Sequence, residues 1–222
     1  IHAQNALQAP DPADREGALR QLEAGIDRAT RVMAQLLTLA RLEPDAGSRH
    51  MAQVDLLALA RQELAELTPL AFEHDQELAL EAGEGEDDSA GEEASAGGGG
   101  DAEGKGTRGV RGRGCADFRL VADAPGLGIL LQNLVSNAVQ HTPPGGRIRV
   151  VLEADADAVV LRVQDSGPGV APELRGKVFE RFFRAGGGSG AGLGLSIVAR
   201  IVELHHGTIT LGDSPLGGLE VW

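Results

Sequence analysis

The apolar positions of the first organised segment follow a helical spacing between two proline breaks. Residues 14–43 lie between the Pro10–Pro12 turn and Pro44. Within them the apolar residues recur alternately every three and four positions: Leu19, Leu22, Ile26, Ala29, Met33, Leu36 and Ala40. This spacing predicts one long helix packed in heptad register. A single helix cannot bury such a seam alone. The pattern therefore predicts either self-association through a helical hairpin, with residues 1–8 as the end of its first arm, or packing on the following domain.

The rest of the chain alternates between helical and strand-like spacing. Helices are predicted over residues 54–72, 125–141 and 197–204, with a short helix that ends at 182. Strands are predicted over residues 76–80, 117–121, 147–153, 158–164, 208–211 and 219–222. Helices interleaved with strand hairpins predict an α/β sandwich with a mixed sheet and helices on one face. With the preceding helical hairpin, the fold class is α+β.

A polar segment interrupts the second part of the chain. Residues 83–114 contain almost nothing apolar; an acidic first part is followed by four glycines and a basic end. Such a composition cannot offset its ordering entropy by burial, which predicts a disordered insertion between two strands of one domain. The expected organisation is a partial helical hairpin at 1–45, a linker at 46–53 and one domain at 54–222 that contains this insertion.

Composition excludes several classes of function. The 222 residues include 33 acidic and 20 basic side chains, a net charge of −13, which argues against nucleic acid as a partner. A lone cysteine, Cys115, excludes an internal disulfide framework and a cysteine zinc site. No apolar run approaches the roughly 18 residues of a membrane span, so no direct membrane contact is expected from this chain. Because the chain starts at Ile1 without methionine, we expect a longer protein whose other part could hold a membrane anchor.

A stripe of polar side chains borders the apolar face of the helix at 125–141. Asn133, Asn137 and His141 recur every four residues. By themselves they could be solvent-facing decoration. Amide oxygens also suit Mg²⁺, which takes a few protein oxygens together with the phosphates of a nucleotide. The stripe therefore needs support from a second motif.

Two glycine-containing segments follow. Residues 165–169 read D-S-G-P-G directly after a strand; they form either a plain turn or a loop whose aspartate bonds an exocyclic amine of a flat ligand. Residues 186–196 are rich in glycine and lead into a helix, where bare N–H groups and the positive dipole end can hold phosphates. A flexible linker is the alternative, but it does not explain the tight G-x-G-L-G-L start. No Gly-Lys-Ser/Thr follows and no βαβ unit precedes, which excludes a Walker loop and a dinucleotide fold.

Taken in order, N-x-x-x-N-A, D-x-G-x-G, F-x-R-F-F-R and G-x-G-L-G-L resemble the ATP-binding domain of sensor histidine kinases. Residues 178–184 resemble the phenylalanine box of that family, and residues 204–208 resemble its last glycine box. The helix at 22–42 is similar to the second dimerisation helix of the quorum-sensing and polymyxin-response sensor kinases. The resemblance implies the sandwich shared by histidine kinases, gyrase and heat-shock chaperones, preceded by a dimerisation hairpin with a truncated first helix.

The resemblance also implies site residues. The ATP-binding set is Asn133, Asn137, His141, Asp165, Gly167, Gly169, Arg184, Gly190, Gly192, Leu193 and Gly194. Asn137 would hold Mg²⁺ with help from Asn133, and His141 would lie near the phosphates. Asp165 would bind the adenine amine beside Gly167 and Gly169. The later glycines would wrap the triphosphate, with Arg184 at the entrance of a lid packed by Phe179 and Phe182.

The chain departs from the family pattern at several positions. No His-Glu/Asp-x-Arg-Thr/Ser-Pro phosphoacceptor motif occurs in it, so the acceptor histidine is expected before Ile1. Gln140 stands where the family often has Arg or Lys, and His206 replaces a usual glycine. The implied reaction is transfer of the γ-phosphoryl group of MgATP to that histidine, then to an aspartate of a response-regulator receiver domain. The implied protein is a homodimer in which this chain is the cytoplasmic portion of an inner-membrane protein.

Two other readings remain open. The chain could be a pseudokinase in which ATP only gates dimerisation, or an ATP-hydrolysing member of the same fold. In gyrase-type ATPases a glutamate one turn before the metal-binding asparagine activates water. Asn133 stands at that place here and cannot accept a proton at neutral pH, which disfavours hydrolysis.

Overall fold

A computed structural model describes residues 12–41, 50–84, 117–154, 158–184 and 191–222. Its helices are α1 (Pro12–Arg41), α2 (Leu56–Glu73), α3 (Ala124–His141), α4 (Pro172–Arg175) and α5 (Gly194–Leu204). Its strands are β1 (Ala52–Asp55), β2 (Glu77–Glu84), β3 (Arg119–Ala122), β4 (Arg147–Ala154), β5 (Val159–Asp165), β6 (Leu211–Asp213) and β7 (Leu219–Val221).

The long helix α1 confirms the prediction from the heptad spacing, with both ends two residues earlier than expected. Val32 packs against the main core, and α1 contacts α5. Its seam is not covered: Leu19, Ile26 and Met33 are each at least half exposed. The helix therefore contacts the following domain on one side and leaves an apolar stripe for another partner. The predicted first arm, residues 1–8, lies outside the described residues.

A five-stranded mixed sheet forms the main body, in the order β2-β4-β5-β7-β6. β2 runs parallel to β4, and the other neighbours are antiparallel. Strand β4 shows why the sheet has one covered face: Ile148, Val150 and Leu152 are fully buried and alternate with the partly exposed Arg149 and Val151. This period-two pattern turns one face of β4 toward the helices.

Helices α2, α3 and α5 cover the apolar face of the sheet. Leu134 and Val135 on α3 and Ile197 and Ile201 on α5 share one buried cluster with strand residues such as Val163. This arrangement confirms the predicted sandwich, with a mixed sheet and helices on one face. Two further contacts fix the two ends of α3.

The first of these contacts joins the start of α3 to the end of α5. The imidazole Nε2 of His205 accepts a hydrogen bond from the backbone N–H of Asp123 at 3.0 Å, and its Nδ1 lies 2.8 Å from Ile201 O. The second contact is at the other end of α3, where the side-chain amide of Gln76 donates to Val139 O at 3.0 Å. Together they set the height of α3 relative to α5 and β2.

A second sheet of two antiparallel strands, β1 and β3, was only half predicted. Strand β1 occupies Ala52 and Gln53 of the expected linker and the first two residues of the expected helix, so α2 begins at Leu56 instead. In β1 only Val54 is buried, too little apolar pattern to reveal a strand. Asp55 ends the strand and caps α2 by accepting a hydrogen bond from Ala58 N.

Three other element boundaries were wrong. Gly83 and Glu84, the first residues of the expected insertion, pair with β4 as the end of β2; residues 85–116 lie outside the described residues. The short helix expected to end at Phe182 stops at Arg175, and Phe182 itself has a left-handed φ of 66° that no α-helix can contain. Strand β6 begins at Leu211 rather than at 208.

Among the residues that the structure describes, none of the helices has the length and apolar content that crossing a bilayer would require.

Candidate functional site

The two asparagines of α3 lie against the first residue of α5. A side chain on Gly194 would place its Cβ 3.2 Å from Asn133 Oδ1 and 3.3 Å from Asn137 Nδ2. Both asparagines are half-buried, and the Asn133 amide also donates to Ile129 O at 2.8 Å. The polar stripe is therefore not solvent-facing decoration over this stretch, because it faces another helix.

Beside these amides, the first backbone N–H groups of α5 donate to no other described residue outside the helix. The first N–H groups of an α-helix have no intrahelical partner, and the residue before α5, Leu193, supplies no side-chain cap. Leu193 is fully buried, which anchors this end of the helix in the core. Bare N–H groups and the positive end of the helix dipole together favour an anion at this position.

Gly192 shows why the segment before α5 needs a glycine. Its φ is 70°, and a Cβ here would lie 2.6 Å from Phe183 O. Its carbonyl accepts a hydrogen bond from Phe182 N at 2.8 Å. The glycine start of the helix is thus packed directly on the phenylalanine box.

Asp165 ends β5 and is buried, with 6% of its surface exposed. Its Oδ1 accepts hydrogen bonds from Gly167 N at 2.8 Å and from Leu219 N at 3.1 Å. Burial raises the pKa of this carboxyl above its ordinary value, while the two backbone donors and the nearby His141 act in the opposite direction. A buried carboxylate held this way can accept a hydrogen bond from a flat polar ligand.

Gly167 brings the loop after β5 onto the end of α3. A Cβ at Gly167 would lie 2.7 Å from His141 O and 3.0 Å from Asp165 Oδ1. Gly169 has a φ of 70°, which glycine adopts without strain. Asp165 therefore lies beside the carboxyl end of α3, whereas the asparagines meet α5 one and two turns earlier.

The structure thus brings most of the predicted residues together along one face of α3. Eight residues separate Asn133 from His141, a rise of about 12 Å along the helix. The stripe runs from the start of α5 to the neighbourhood of Asp165. His141 lies at the Asp165 end of the stripe, where Gly167 approaches its backbone oxygen, and the expectation that it lies near the phosphates stays a prediction.

The remaining predicted residues lie at the edge of this arrangement or beyond it. Gly190 lies outside the described residues. Arg184 is exposed, and its contact with a phosphate stays a prediction. Phe179 packs against the main core, and its expected packing on the lid stays a prediction. Phe182 is 64% exposed and has a left-handed backbone; the glycine-rich segment before Gly190, which it is expected to pack, lies outside the described residues, so that role stays a prediction.

Sequence reasoning missed the turn before β7. Leu219 contributes a backbone N–H to Asp165, and Gly218 allows that approach because any Cβ on it would overlap Asp165 Oδ1. Backbone donors leave no mark in a sequence, and the pair Gly217-Gly218 was the only available signal. Within the described ranges no group of three His, Cys, Asp or Glu side chains could hold a metal ion, so a metal here would need amide oxygens.

Comparison with known proteins assigns the domain that carries this site. Residues 122–222 match the family described as histidine kinase-, DNA gyrase B-, and HSP90-like ATPase. These residues contain both asparagines, Asp165 and the start of α5. Residues 122–222 belong to this ATPase family. The family fold agrees with the mixed sheet and the one-sided helices of the structure.

The similarity to sensor kinases extends beyond the ATPase-family domain. The sensor protein kinase PmrB of Pseudomonas aeruginosa is 38% identical over 224 residues, which cover 99% of this chain and 40% of that protein. The sensor protein QseC of Escherichia coli is 33% identical over 218 residues, with 96% and 40% covered. The chain thus spans about two fifths of the length of these relatives.

Among solved structures, full-length ShkA in complex with AMPPNP matches with a TM-score of 0.62 and 25% identity. The match covers 100% of this chain and 40% of that one. AMPPNP is an adenine nucleotide analogue, so that protein binds an adenine nucleotide.

Proposed function

We propose that this chain is the ATP-binding catalytic part of a sensor histidine kinase, which directs the γ-phosphoryl group of ATP to a histidine. One observation carries the proposal: Asn133 and Asn137 lie against Gly194 at the bare N-terminus of α5. A helix start with unpaired N–H groups suits phosphates, and the two amides add oxygen ligands at the same place.

The amides fit a nucleotide-bound Mg²⁺. This ion prefers oxygen ligands and keeps several waters and phosphate oxygens, so one or two protein ligands suffice. We assign Asn137 as the principal ligand and Asn133 as its support; the Asn133 Nδ2–H group donates to Ile129 O, which leaves its Oδ1 free to face the start of α5. Bound Mg²⁺ would supply charge neutralisation at the phosphates, while the chain's own part is to position them.

The adenine ring is assigned to the other end of the stripe. The Asp165 carboxylate would accept a hydrogen bond from the exocyclic amine, and Gly167 and Gly169 keep the floor of the pocket free of side chains. The backbone of His141 lies beside the loop that carries Asp165, since a Cβ at Gly167 would be 2.7 Å from His141 O. The exposed His141 side chain would then contact the nucleotide, and its place near the phosphates stays a prediction.

Two features favour phosphoryl transfer to histidine over hydrolysis. Asn133 occupies the place of a water-activating glutamate and cannot act as a general base. The relatives PmrB and QseC are named sensor proteins, and their similarity includes α1 as well as the ATPase-family domain.

The partners follow from the same proposal. The exposed seam of α1, at Leu19, Ile26 and Met33, would pack against a second copy of the chain to form a homodimer. A response-regulator receiver domain would then accept the phosphoryl group on an aspartate. The whole protein would be anchored in the inner membrane with this part on the cytoplasmic side.

Calorimetry of the chain with ATP, with and without Mg²⁺, tests nucleotide binding. The wild type should bind ATP more tightly with Mg²⁺, and Asn137→Ala should weaken binding in Mg²⁺ by at least about tenfold, the equivalent of about 1.4 kcal/mol. Gln62→Ala, an exposed amide on α2, serves as the matched control and should bind like the wild type.

Radiolabelling tests the kinase step in a longer protein that carries a phosphoacceptor motif before Ile1. The wild type should form acid-labile phosphohistidine, and Asn137→Ala should not. Tight ATP binding without any histidine label would instead favour the pseudokinase alternative.

A further inference from the structure

The turn that joins β6 to β7 closes against the residue assigned to the base. This turn, Ser214–Gly218, is braced by a hydrogen bond from Ser214 N to Gly218 O at 2.9 Å. From it, Gly218 N donates to the backbone oxygen of Asp165 at 3.1 Å. The next residue, Leu219, donates its N–H to Asp165 Oδ1, also at 3.1 Å. The turn and the residue after it therefore hydrogen-bond to both the backbone and the side chain of Asp165.

Both hydrogen bonds to the Asp165 side chain reach the same carboxylate oxygen. Gly167 N and Leu219 N both donate to Oδ1. One donor lies in the loop after β5 and the other at the start of β7, and together they restrict the orientation of the carboxylate, because hydrogen bonds to carboxylate oxygens are directional. The other oxygen, Oδ2, is then presented in one direction.

The fit around this turn excludes a side chain at Gly218. A Cβ there would overlap Asp165 Oδ1 and would lie 2.5 Å from Gly167 N and 2.6 Å from Asp165 O. The neighbouring Gly169 is also close, since a Cβ on it would be 3.4 Å from Gly218 O. Any substitution at Gly218 would thus push Leu219 N–H away from the carboxylate.

We propose that the Ser214–Gly218 turn determines the selectivity of the site for a purine that carries a 6-amino group. By holding Oδ1, the turn aims Oδ2 at the position of the exocyclic amine, and Gly218 is a positioning residue that acts through Asp165. This inference rests on the proposed function, because it assumes that the base lies at Asp165.

The test compares ATP with purine riboside 5′-triphosphate, which lacks only the 6-amino group, by calorimetry in Mg²⁺. The wild type should prefer ATP by about tenfold or more, as expected for a hydrogen bond to a charged acceptor. Gly218→Ala should reduce this preference at least about fivefold, chiefly by weakening ATP. Gly176→Ala is the matched control, since a Cβ at Gly176 meets no other atom within 4 Å, and it should leave the preference unchanged.

A second variant guards against misfolding of Gly218→Ala. Replacing Leu219 by its α-hydroxy acid changes the backbone amide to an ester, removes the N–H that reaches Oδ1 and adds no side-chain atoms. The preference for ATP should fall in this variant as well.

The outcomes separate the two proposals. A wild type that binds neither triphosphate contradicts the nucleotide function itself. A wild type that binds ATP, with an unchanged ATP preference in the ester variant, overturns the role of the turn. Equal weakening of both triphosphates in the ester variant also overturns it, because it would show a merely structural role.

Discussion

At the scale of single residues, Asp165 combines a cost in stability with a use in binding. Burial raises the pKa of its carboxyl above 3.8, so the folded state holds the proton more tightly than the unfolded chain does. The stability linked to this group is therefore complete below the unfolded pKa and is lost as the pH rises through the folded one. At neutral pH the buried charge of Asp165 therefore lowers the free energy of unfolding.

Asp165→Asn should consequently raise the melting temperature at neutral pH and abolish the preference for ATP. The asparagine Oδ1 can still accept from Gly167 N and Leu219 N, whereas the charge is removed. Scanning calorimetry across the acidic to neutral range should show a smaller loss of stability with rising pH than in the wild type. A variant that is less stable than the wild type at neutral pH would contradict this account of the burial cost.

His206 offers a second prediction at the same scale. Its φ is 56°, a left-handed conformation that costs a non-glycine residue about 1–2 kcal/mol. Glycine at this position would remove the strain, but it would also increase the conformational entropy of the unfolded chain. His206→Gly should therefore raise the free energy of unfolding by about 0.5–1 kcal/mol. The neighbouring His205→Gly should lower it, because His205 ties α5 to Asp123 N. Urea denaturation of both variants measures the contrast.

At the scale of elements, the sequence predicted those with a long periodic pattern. The seven-position seam predicted α1 to within two residues at each end. The elements it misplaced are short. Strand β1 buries only Val54, and α4 ends where the backbone turns, which depends on tertiary contacts that no local pattern records.

The start of α5 makes the link between packing and the site testable. Leu193 is fully buried immediately before the helix, so Leu193→Ala should lower the free energy of unfolding by about 2–5 kcal/mol and weaken ATP binding by loosening the helix start. Leu37→Ala on α1 is a matched control, because Leu37 is 61% exposed and its loss should cost about 0.5 kcal/mol or less. Chemical denaturation with calorimetry of both variants gives the two readouts.

At the scale of the whole molecule, α1 carries two different surfaces. Val32 packs toward the ATPase-family domain, whereas Ile26 and Met33 are more than half exposed. One side of α1 thus packs on the core of the following domain, and another side is exposed and apolar. This arrangement suits a protein in which a single helix connects the dimer interface to the catalytic domain.

Met33→Glu should abolish self-association without changing ATP affinity, because a charge on the seam would be buried without a partner in a dimer. Gln21→Glu adds the same charge at an exposed position of α1 and should leave self-association intact. Sedimentation velocity distinguishes the two variants. A wild type that stays monomeric at all concentrations would contradict self-association of this chain through the seam of α1.

The side chains of the candidate site could be predicted from the sequence, whereas its backbone hydrogen-bond donors could not. Asn133, Asn137 and Asp165 could be chosen from their spacing and motifs, and the structure brings them to one face of α3. The donors from Leu219 and the close approach of Gly218 could not, since they depend on how β7 pairs with β5. The close approach of Gly167 to His141 O at the end of α3 could not be predicted for the same reason.

A crystal structure of the chain with Mg²⁺ and AMPPNP tests the central claim most directly. The account predicts the 6-amino group of adenine at Asp165, the phosphates at the start of α5 beside Gly194, and Mg²⁺ on the Asn137 side-chain oxygen. A nucleotide bound elsewhere, or one whose phosphates lie at Asp165, would contradict it.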